Sequence, residues 1–443
     1  MKDPLSLVLK TWGVALAAAA LTMAQACPNP PVPTIDGKLP ADVCIPSGFT
    51  DLTIDFFDDY GWKAFLAMVW PAQSGHRGLP DSSRKVGAAG ARVFETYKPL
   101  WEVFHQDGSA PVSPDFQQYE APEHNACKAR AGFGDMVLAS FSGIHDIGQA
   151  GDGELVGPLV AQNGTYVRYL TGYNEIAFRH IESNKWYLRS ALPVVPVPRP
   201  NTPPMQFPTG SVVVKSAWMD VTGMPERQRS RIYTRMATVQ DPVTGQCKQR
   251  QMGLIGLHIA QKTASRPQWI WSTFEQVDLV PPGDIGGPGK YLLHDGTATP
   301  MPETNPLNLV PLAKPPVPPF NVTRAEKSPI HPKTVETNWE YRKLLEGTVW
   351  RNYQLVMTQW PLRPGDQSVP VAASQAGDIF QTFPGEGATS AFANLTMETF
   401  NQARPAQGCM SCHNRARLTA DFMWSVVMHA YPEKIRLPQE TKK

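Results

Sequence analysis

The sequence has little excess charge of either sign and no long run of one charge. Its 41 Lys and Arg residues nearly balance its 39 Asp and Glu residues, which leaves a net charge of +2. Proteins that bind nucleic acids contact phosphates through a concentrated basic surface, and the sequence has no basic run of that kind. The composition therefore argues against a nucleic-acid partner.

Long apolar runs are also scarce. The run of small and apolar residues from Val14 to Ala24 is shorter than the ~20 residues that a helix needs to cross a bilayer. Basic residues precede this run and Ala24-Gln25-Ala26 ends it, an order that is typical of a secretory signal peptide. We therefore predict a signal peptide at residues 1–26, a periplasmic protein and no stable transmembrane span. The alternatives are an uncleaved anchor and a lipoprotein that starts at Cys27.

Short motifs of several large enzyme classes are missing as well. The sequence contains no GxSxG nucleophile elbow, no phosphate-binding loop, no GxGxxG dinucleotide fingerprint and no HExxH motif. Hydrolysis by a serine nucleophile, nucleotide binding and zinc peptidase chemistry therefore lack their usual signatures. An acidic cluster lacks the spacing of a calcium loop, so we expect it to be a solvated helix face: Asp51, Asp55, Asp58 and Asp59.

Cysteine is scarce, with six residues in the chain. Two of them lie in the segment Cys409-Met410-Ser411-Cys412-His413, and the other four are Cys27, Cys44, Cys127 and Cys247. An even number of cysteines in an oxidising compartment favours disulfides. Of the three possible pairings we favour Cys27–Cys44, which would pin the N-terminal arm, together with Cys127–Cys247. Free buried cysteines are the alternative.

Proline and tryptophan are abundant, with 44 and 12 residues. Because proline breaks helix interiors and central strands, its abundance favours a loop-rich, β-dominated architecture. Strand-like runs such as RVFETY, KWYLRS and GLIGLHIAQK fill residues 93–280, after an amphipathic helix that we predict at 51–70. The C-terminal pattern predicts a strand at 348–360 and helices at 335–347, 390–403 and 418–430.

The segment from Cys409 to His413 has the spacing that attachment of c-type haem requires. Two thiols three positions apart can reach both vinyl groups of a porphyrin, and the histidine after the second thiol can bond the iron. The alternatives are a local disulfide, a thioredoxin-type dithiol and a zinc site. The dithiol lacks its strand-to-helix context, and the zinc site lacks a second ligand pair at close spacing. We predict one covalently bound haem c.

At this motif and the residues after it, the chain resembles the c-type cytochromes. The upstream segments KAFLAMVWP, NGTYVRYL, VVVKSAWM and RPQWIWSTFE are similar to those of large exported bacterial proteins with a C-terminal haem motif. The resemblance implies thioether bonds from Cys409 and Cys412 and axial ligation by His413. A motif this close to the C-terminus is similar to those of four-helix-bundle cytochromes and of β-sheet cytochromes related to hydroxylamine oxidation. Both types can leave the distal face without a strong protein ligand.

The distal ligand decides which chemistry the iron could support. Methionine or histidine would close the site and favour electron transfer, whereas an open position would admit small molecules. The local candidates are Met428 or His429, with Met423 as a further possibility, and His258 is the remote candidate. Arg415 and Arg417 could pair with haem propionates, because arginine suits planar carboxylates.

Together these observations predict an α+β fold. A proline-rich, mainly β body would span residues 27–330, and a smaller helical C-terminal c-haem segment would span 331–443. The predicted function is that of a periplasmic monohaem c-type cytochrome that passes single electrons to a redox partner protein. One alternative is a haem enzyme of the oxygenase or peroxidase type that acts on a small-molecule substrate. Another is a binding protein in which the haem is structural.

Overall fold

The fold is α+β and rich in strands, as the sequence predicted. The predicted signal peptide at residues 1–26 lies outside the part of the chain that the structure describes. So do Cys409, Cys412, Arg415 and Arg417. The computed structural model describes residues 27–48, 54–112, 115–138, 158–192, 194–195, 197–198, 205–241, 244–281, 291–297, 321–324, 329–360, 393–402, 413, 416 and 420–432.

The main sheet is organised around one long strand, β8. Its strands are ordered β1-β3-β6-β8-β7-β2, and β9 joins β8 to β10. One edge of β8 pairs with β6, while the other edge is shared between β7 and β9. Among the described pairs only β2 and β7 run parallel, and β4 and β5 form a separate hairpin. The strands are β1 Lys98–Pro99, β2 Val137–Leu138, β3 Arg168–Tyr173, β4 Val194–Val195, β5 Val197–Pro198, β6 Val212–Asp220, β7 Thr234–Gln240, β8 Cys247–Gln261, β9 Ile270–Gln276 and β10 Tyr353–Gln359.

Two of the predicted strands are wrong. The run RVFETY forms a 3-10 helix at Val93–Thr96, and KWYLRS forms turns that lead into a 3-10 helix at Arg189–Ala191. The predicted helices at 51–70 and 335–347 correspond to α1 and α5. The described α-helices are α1 Ile54–Val69, α2 Leu100–Val103, α3 Glu175–Ser183, α4 Glu226–Arg229, α5 Pro332–Leu344 and α6 Trp424–His429.

Helix α1 is buried along almost its whole length and covers one face of the sheet. The Trp62 ring packs edge-on against Phe274 of β9 and stacks on Tyr341 of α5, with both centroid distances at 5.1 Å. Its indole N–H donates to Oδ1 of Asn338, at 2.9 Å. A Cβ atom at Gly61 would collide with side chains of β9 and β10, so this glycine permits the close approach of α1 to the sheet.

The solvated acidic face that the sequence predicts is wrong for two of its four residues. Asp51 lies outside the described residues and Asp55 is partly exposed, but Asp58 and Asp59 are buried. Asp58 is only 1% exposed and Asp59 8%. Oδ2 of Asp58 accepts a hydrogen bond from Thr334, while Asp59 pairs with Lys63 and accepts one from Tyr341. The two carboxylates therefore join α1 to α5 instead of facing water.

The opposite face of the sheet is covered by residues 393–402. A helix was predicted here, but the segment contains only a 3-10 turn at Thr399–Asn401. The side chain of Asn394 donates to Thr273 Oγ1 and to the Phe274 carbonyl, and it accepts from the Thr396 N–H. These bonds tie the segment to β9 and explain why it does not close into an α-helix.

The last predicted helix is shorter than expected. The pattern predicts a helix over 418–430, of which 418 and 419 lie outside the described residues. In the described part α6 covers Trp424–His429. Asp421 and Phe422 have positive φ angles, at 46° and 72°, which a right-handed helix does not allow.

Both favoured disulfides are confirmed. Cys27 pairs with Cys44, and Cys127 pairs with Cys247. The second bond connects the loop before β2 to the first residue of β8. Among the described residues, no helix is both long and apolar enough to cross a membrane.

Candidate functional site

His413 lies against the sheet, next to Trp271 of β9. The ring centroids are 4.2 Å apart and the ring planes are inclined by 43°. The Nδ1 atom of His413 lies 2.6 Å from the carbonyl oxygen of Phe422, in the turn before α6. These two contacts fix the position of the imidazole relative to both the sheet and the turn.

The contact with Phe422 determines which ring nitrogen of His413 carries the proton. A carbonyl oxygen only accepts hydrogen bonds, so Nδ1 donates. Although part of the residue remains exposed, burial of the ring lowers the pKa of His413 to about 4, and the charges of Lys215 and His258 act in the same direction. The imidazole is therefore neutral at pH 7, and its Nε2 atom keeps a lone pair that can bond a metal ion.

The turn that presents the Phe422 carbonyl is held by the body of the protein. The carboxylate of Asp421 accepts from Lys262 Nζ at 2.6 Å and from the backbone N–H of Phe207 at 2.7 Å. The indole N–H of Trp269 donates to the carbonyl of Asp421, at 3.0 Å. Buried polar contacts thus maintain a left-handed backbone conformation that residues other than glycine rarely adopt.

His258 and Trp271 point to the same face of the sheet. His258 of β8 is directly opposite Thr273 of β9, which lies two residues after Trp271. Because side chains alternate between the faces along a strand, Thr273, Trp271 and His258 share a face. Lys215 of β6 is opposite His258, and both charges reach His413. Three strands therefore gather these side chains around His413.

Glu398 meets His258 from the segment that covers this face. Its Oε1 atom lies 3.5 Å from Nε2 of His258, a separation slightly too long for a good hydrogen bond. Nε2 of His258 is buried and has no hydrogen-bond partner among the described residues. Burial alone would raise the pKa of Glu398, but His258, Lys215 and the Asn394 N–H outweigh it and lower the pKa. An ionised carboxylate therefore lies beside the histidine.

The residues around His413 suit the haem that the sequence predicts. A porphyrin iron needs a neutral imidazole whose second nitrogen is held by a hydrogen bond, and His413 has both properties. A porphyrin also carries propionates, which accept hydrogen bonds. The indole N–H of Trp271 is buried without a hydrogen-bond partner among the described residues, so it is a donor available for such a group.

The candidates for the distal ligand have different surroundings. Nδ1 of His429 lies 2.8 Å from the carbonyl of Ser425, and its ring is 6.1 Å from that of Phe104 at the end of α2. Met428 is half-buried in the same helix, and Met423 is buried just before it. Ligation by Met428 or His429 stays a prediction. His258 is the candidate that lies close enough to His413 to influence its pKa.

Sequence reasoning missed several residues of this site, namely Trp271, Glu398, Lys215 and the pair Lys262 and Asp421. Lys262 and Asp421 are 159 positions apart, and no short motif marks either of them. The alternation in the β8 and β9 segments was a usable signal. It becomes informative only when the pairing register of the two strands is known.

Comparison of the chain with protein-family models, with curated proteins and with solved structures finds no match. The function is therefore inferred from the motif and from the geometry around His413.

Proposed function

We propose that this chain is a periplasmic monohaem c-type cytochrome that transfers single electrons to a redox partner protein. Cys409 and Cys412 would hold the haem through thioether bonds, and His413 would be the proximal ligand. The observation that carries the proposal is the hydrogen bond from Nδ1 of His413 to the Phe422 carbonyl. It supports the proposal because a neutral histidine held in this way offers its Nε2 lone pair to a metal ion.

A bound haem would supply a reversible one-electron couple. The protein's part is to orient and tune His413. Donation from Nδ1–H to the Phe422 carbonyl fixes the ring orientation and makes Nε2 more electron-rich. Trp271 packs against the ring and would donate its N–H to a propionate. The positive charge of Lys215 favours a nearby group that carries negative charge.

Export and the finer architecture belong to the same proposal. Two disulfides suit an oxidising compartment, which is also where c-type haem is attached in bacteria. We propose that the signal peptide at 1–26 directs the chain there. We further propose that the residues after 331 form the haem-bearing segment, with α5 and α6 as its helices.

One observation favours a haem enzyme as the second candidate function. The buried Nε2 atom of His258 faces the ionised Glu398 on the sheet face where Trp271 lies. A histidine and a carboxylate in this arrangement can accept and return a proton, which general acid–base catalysis requires. If the distal position of the iron were open, this pair could serve a peroxidase-type or oxygenase-type reaction on a small molecule.

The test is to produce the full chain in bacteria that have an intact c-type maturation system. We expect purified periplasmic protein to be coloured, to lack residues 1–26 and to carry the mass of one haem. The double variant Cys409→Ser/Cys412→Ser should lose the covalent haem. The double variant Cys27→Ser/Cys44→Ser is the matched control and should keep it. Colourless wild-type protein without added mass would overturn the proposal.

The coloured protein then separates the two candidate functions. A low-spin spectrum that does not change when carbon monoxide is added, together with reversible reduction, would support electron transfer. Rapid binding of carbon monoxide and turnover with peroxide would support the enzyme and contradict the first proposal. Failure to undergo reversible reduction would contradict both and indicate a structural haem.

A further inference from the structure

A second group of potential metal ligands lies outside the region around His413. His105, Glu120 and His124 each offer one ligand atom, and these atoms lie within 4.8 Å of one another. His105 and Glu120 are each only 3% exposed, and His124 is half-buried. Buried ionisable groups normally pair with a counter-charge or bind a metal ion.

The hydrogen bonds around His105 determine its tautomer. Nδ1 of His105 lies 2.8 Å from Oγ of Ser109. That hydroxyl donates its single proton to Oδ1 of Asp107, at 2.6 Å, so it must accept from Nδ1–H of His105. In the neutral ring Nε2 therefore carries a lone pair. A ligating histidine is commonly held in this way through its other nitrogen.

In this neutral tautomer the lone pair of His105 faces a carboxylate. Nε2 lies 3.6 Å from Oε2 of Glu120, too far for a hydrogen bond. Both atoms are buried and have no hydrogen-bond partner among the described residues. Two acceptors that face each other in a buried site repel unless a cation lies between them. The second oxygen of Glu120 is held by the Val112 N–H, which orients the carboxylate.

The 3.6 Å separation of His105 Nε2 and Glu120 Oε2 suits a tetrahedral zinc ion. Zinc bonds to histidine nitrogen and carboxylate oxygen are about 2.0–2.2 Å long, so two ligand atoms on a tetrahedral ion lie about 3.3–3.6 Å apart. The rings of His105 and His124 are stacked, with centroids 3.7 Å apart and planes inclined by 12°. Because the lone pair of an imidazole lies in its ring plane, the half-buried His124 would turn relative to His105 to bond the same ion.

The elements that carry the three residues are anchored to the body. His105 follows the end of α2, and His124 is the last residue of a 3-10 helix at Pro122–His124. Three residues later, Cys127 is joined to the start of β8 by a disulfide. Two charged side chains also interact with the cluster. Asp107 interacts with His105 and His124, and Lys98 interacts with Glu120.

We propose that His105, Glu120 and His124 bind one zinc ion through two imidazole nitrogens and one carboxylate oxygen. This site is independent of the haem site. The alternative occupant is a proton, in which case His105 and Glu120 form only a buried ion pair. The zinc-bound site and the buried ion pair predict different metal contents and different effects of substitution.

The experiment uses full-length mature protein that has been treated with a chelator and then titrated with Zn²⁺ at pH 7.5. A chelator does not remove a covalently bound haem, so iron and zinc can be counted separately by elemental analysis. We expect one zinc per chain and a rise in the unfolding temperature when zinc is added. A wild-type protein that binds no zinc would overturn the proposal.

The variants His124→Ala and Glu120→Gln test the ligands. Both should fold, because the first removes a half-buried side chain and the second keeps the size of a buried one. We expect each to lose more affinity than the about 10–100-fold that is typical when a residue only orients a ligand. Ser109 only orients His105, so Ser109→Ala should lower the affinity for zinc by an amount within that range. The matched control is His76→Ala, which removes an exposed histidine. If His124→Ala binds zinc as tightly as His76→Ala, His124 is not a ligand and the proposed site is wrong.

Discussion

The ammonium group of Lys262 lies 2.6 Å from Oδ2 of Asp421, and both side chains are almost completely buried. The pair joins the end of β8 to the turn whose Phe422 carbonyl accepts the hydrogen bond from His413. Because this turn has positive φ angles, it persists only while its surroundings hold it. The ion pair therefore links the stability of the C-terminal turn to the orientation of the histidine.

The variant Lys262→Met tests this link. It leaves Asp421 as an unpaired buried carboxylate, which should lower the free energy of unfolding by about 3–5 kcal/mol. It should also loosen the turn and weaken the hydrogen bond from Nδ1 of His413 to the Phe422 carbonyl. The Nε2 atom would then donate less electron density to the iron. We therefore expect the midpoint potential of the proposed haem to rise. Urea unfolding and redox titration measure the two effects.

Two further variants complete that test. Lys248→Met removes an exposed lysine and should change neither the free energy of unfolding nor the midpoint potential. The double variant Lys262→Met/Asp421→Asn removes both charges and should recover part of the lost stability. A Lys262→Met protein with wild-type unfolding and an unchanged potential would contradict the proposed link.

Local patterns in the sequence predicted the elements that depend on short-range information. Helix α1 was predicted from the apolar spacing of its side chains, and β8 from a run of β-branched and apolar residues. Helix α3 was missed because its segment lies among strand-like runs. Its start signal was nevertheless present, since the Asn174 side chain accepts from the Ala177 N–H.

Predictions failed where long-range contacts override local pattern. Residues 393–402 have helical spacing of apolar side chains, but Asn394 hydrogen-bonds to β9 and holds the segment in another conformation. The acidic residues around α1 predict a solvated face, yet Asp58 accepts a hydrogen bond from Thr334, which is 276 positions away. For the same reason the motif predicted His413 as a ligand, while its neighbours Trp271 and Glu398 could not be predicted.

Substitution of the distal candidates should identify which of them acts. We expect His258→Ala to change the absorption spectrum or the rate of carbon monoxide binding, because its buried Nε2 atom lies in the region of His413. If the protein is an enzyme, loss of this group should slow the reaction with peroxide by about 10²–10⁴-fold. Met428→Ala and His429→Ala are the comparison variants. A spectral change in either of them, with none in His258→Ala, would place the distal ligand on α6.

The two disulfides should differ in their contribution to stability. The Cys127–Cys247 bond closes a loop with a sequence separation of 120, and Cys27–Cys44 closes one of 17. The chain-entropy model assigns about 5 kcal/mol to the longer loop and about 3 kcal/mol to the shorter. We expect Cys127→Ala/Cys247→Ala to lower the free energy of unfolding more than Cys27→Ala/Cys44→Ala does. Urea unfolding under oxidising conditions measures both, and the reverse order would show that the closed-loop model does not hold here.

The buried carboxyl group of Asp58 should make stability depend on pH. Burial, reinforced by the charge of Asp55, raises the pKa of Asp58 to about 7, although Thr334 and Thr358 donate hydrogen bonds that oppose the shift. An unfolded chain releases this proton near pH 4. Between about pH 4 and pH 7 the folded state therefore holds a proton that the unfolded state has lost. Stability from this group falls as the pH rises through that window and is constant above it.

The variant Asp58→Asn removes this titration and retains an oxygen that can accept from Thr334. We expect it to be more stable than the wild type at pH 8, by at most about 4 kcal/mol, and nearly equal to it at pH 4. Asp36→Asn, which removes an exposed carboxylate, is the control and should follow the wild type at every pH. Urea unfolding at intervals between pH 4 and pH 8 gives the difference between the curves. If that difference stays constant across the range, the pKa of Asp58 is the same in the folded and unfolded states, and burial does not raise it.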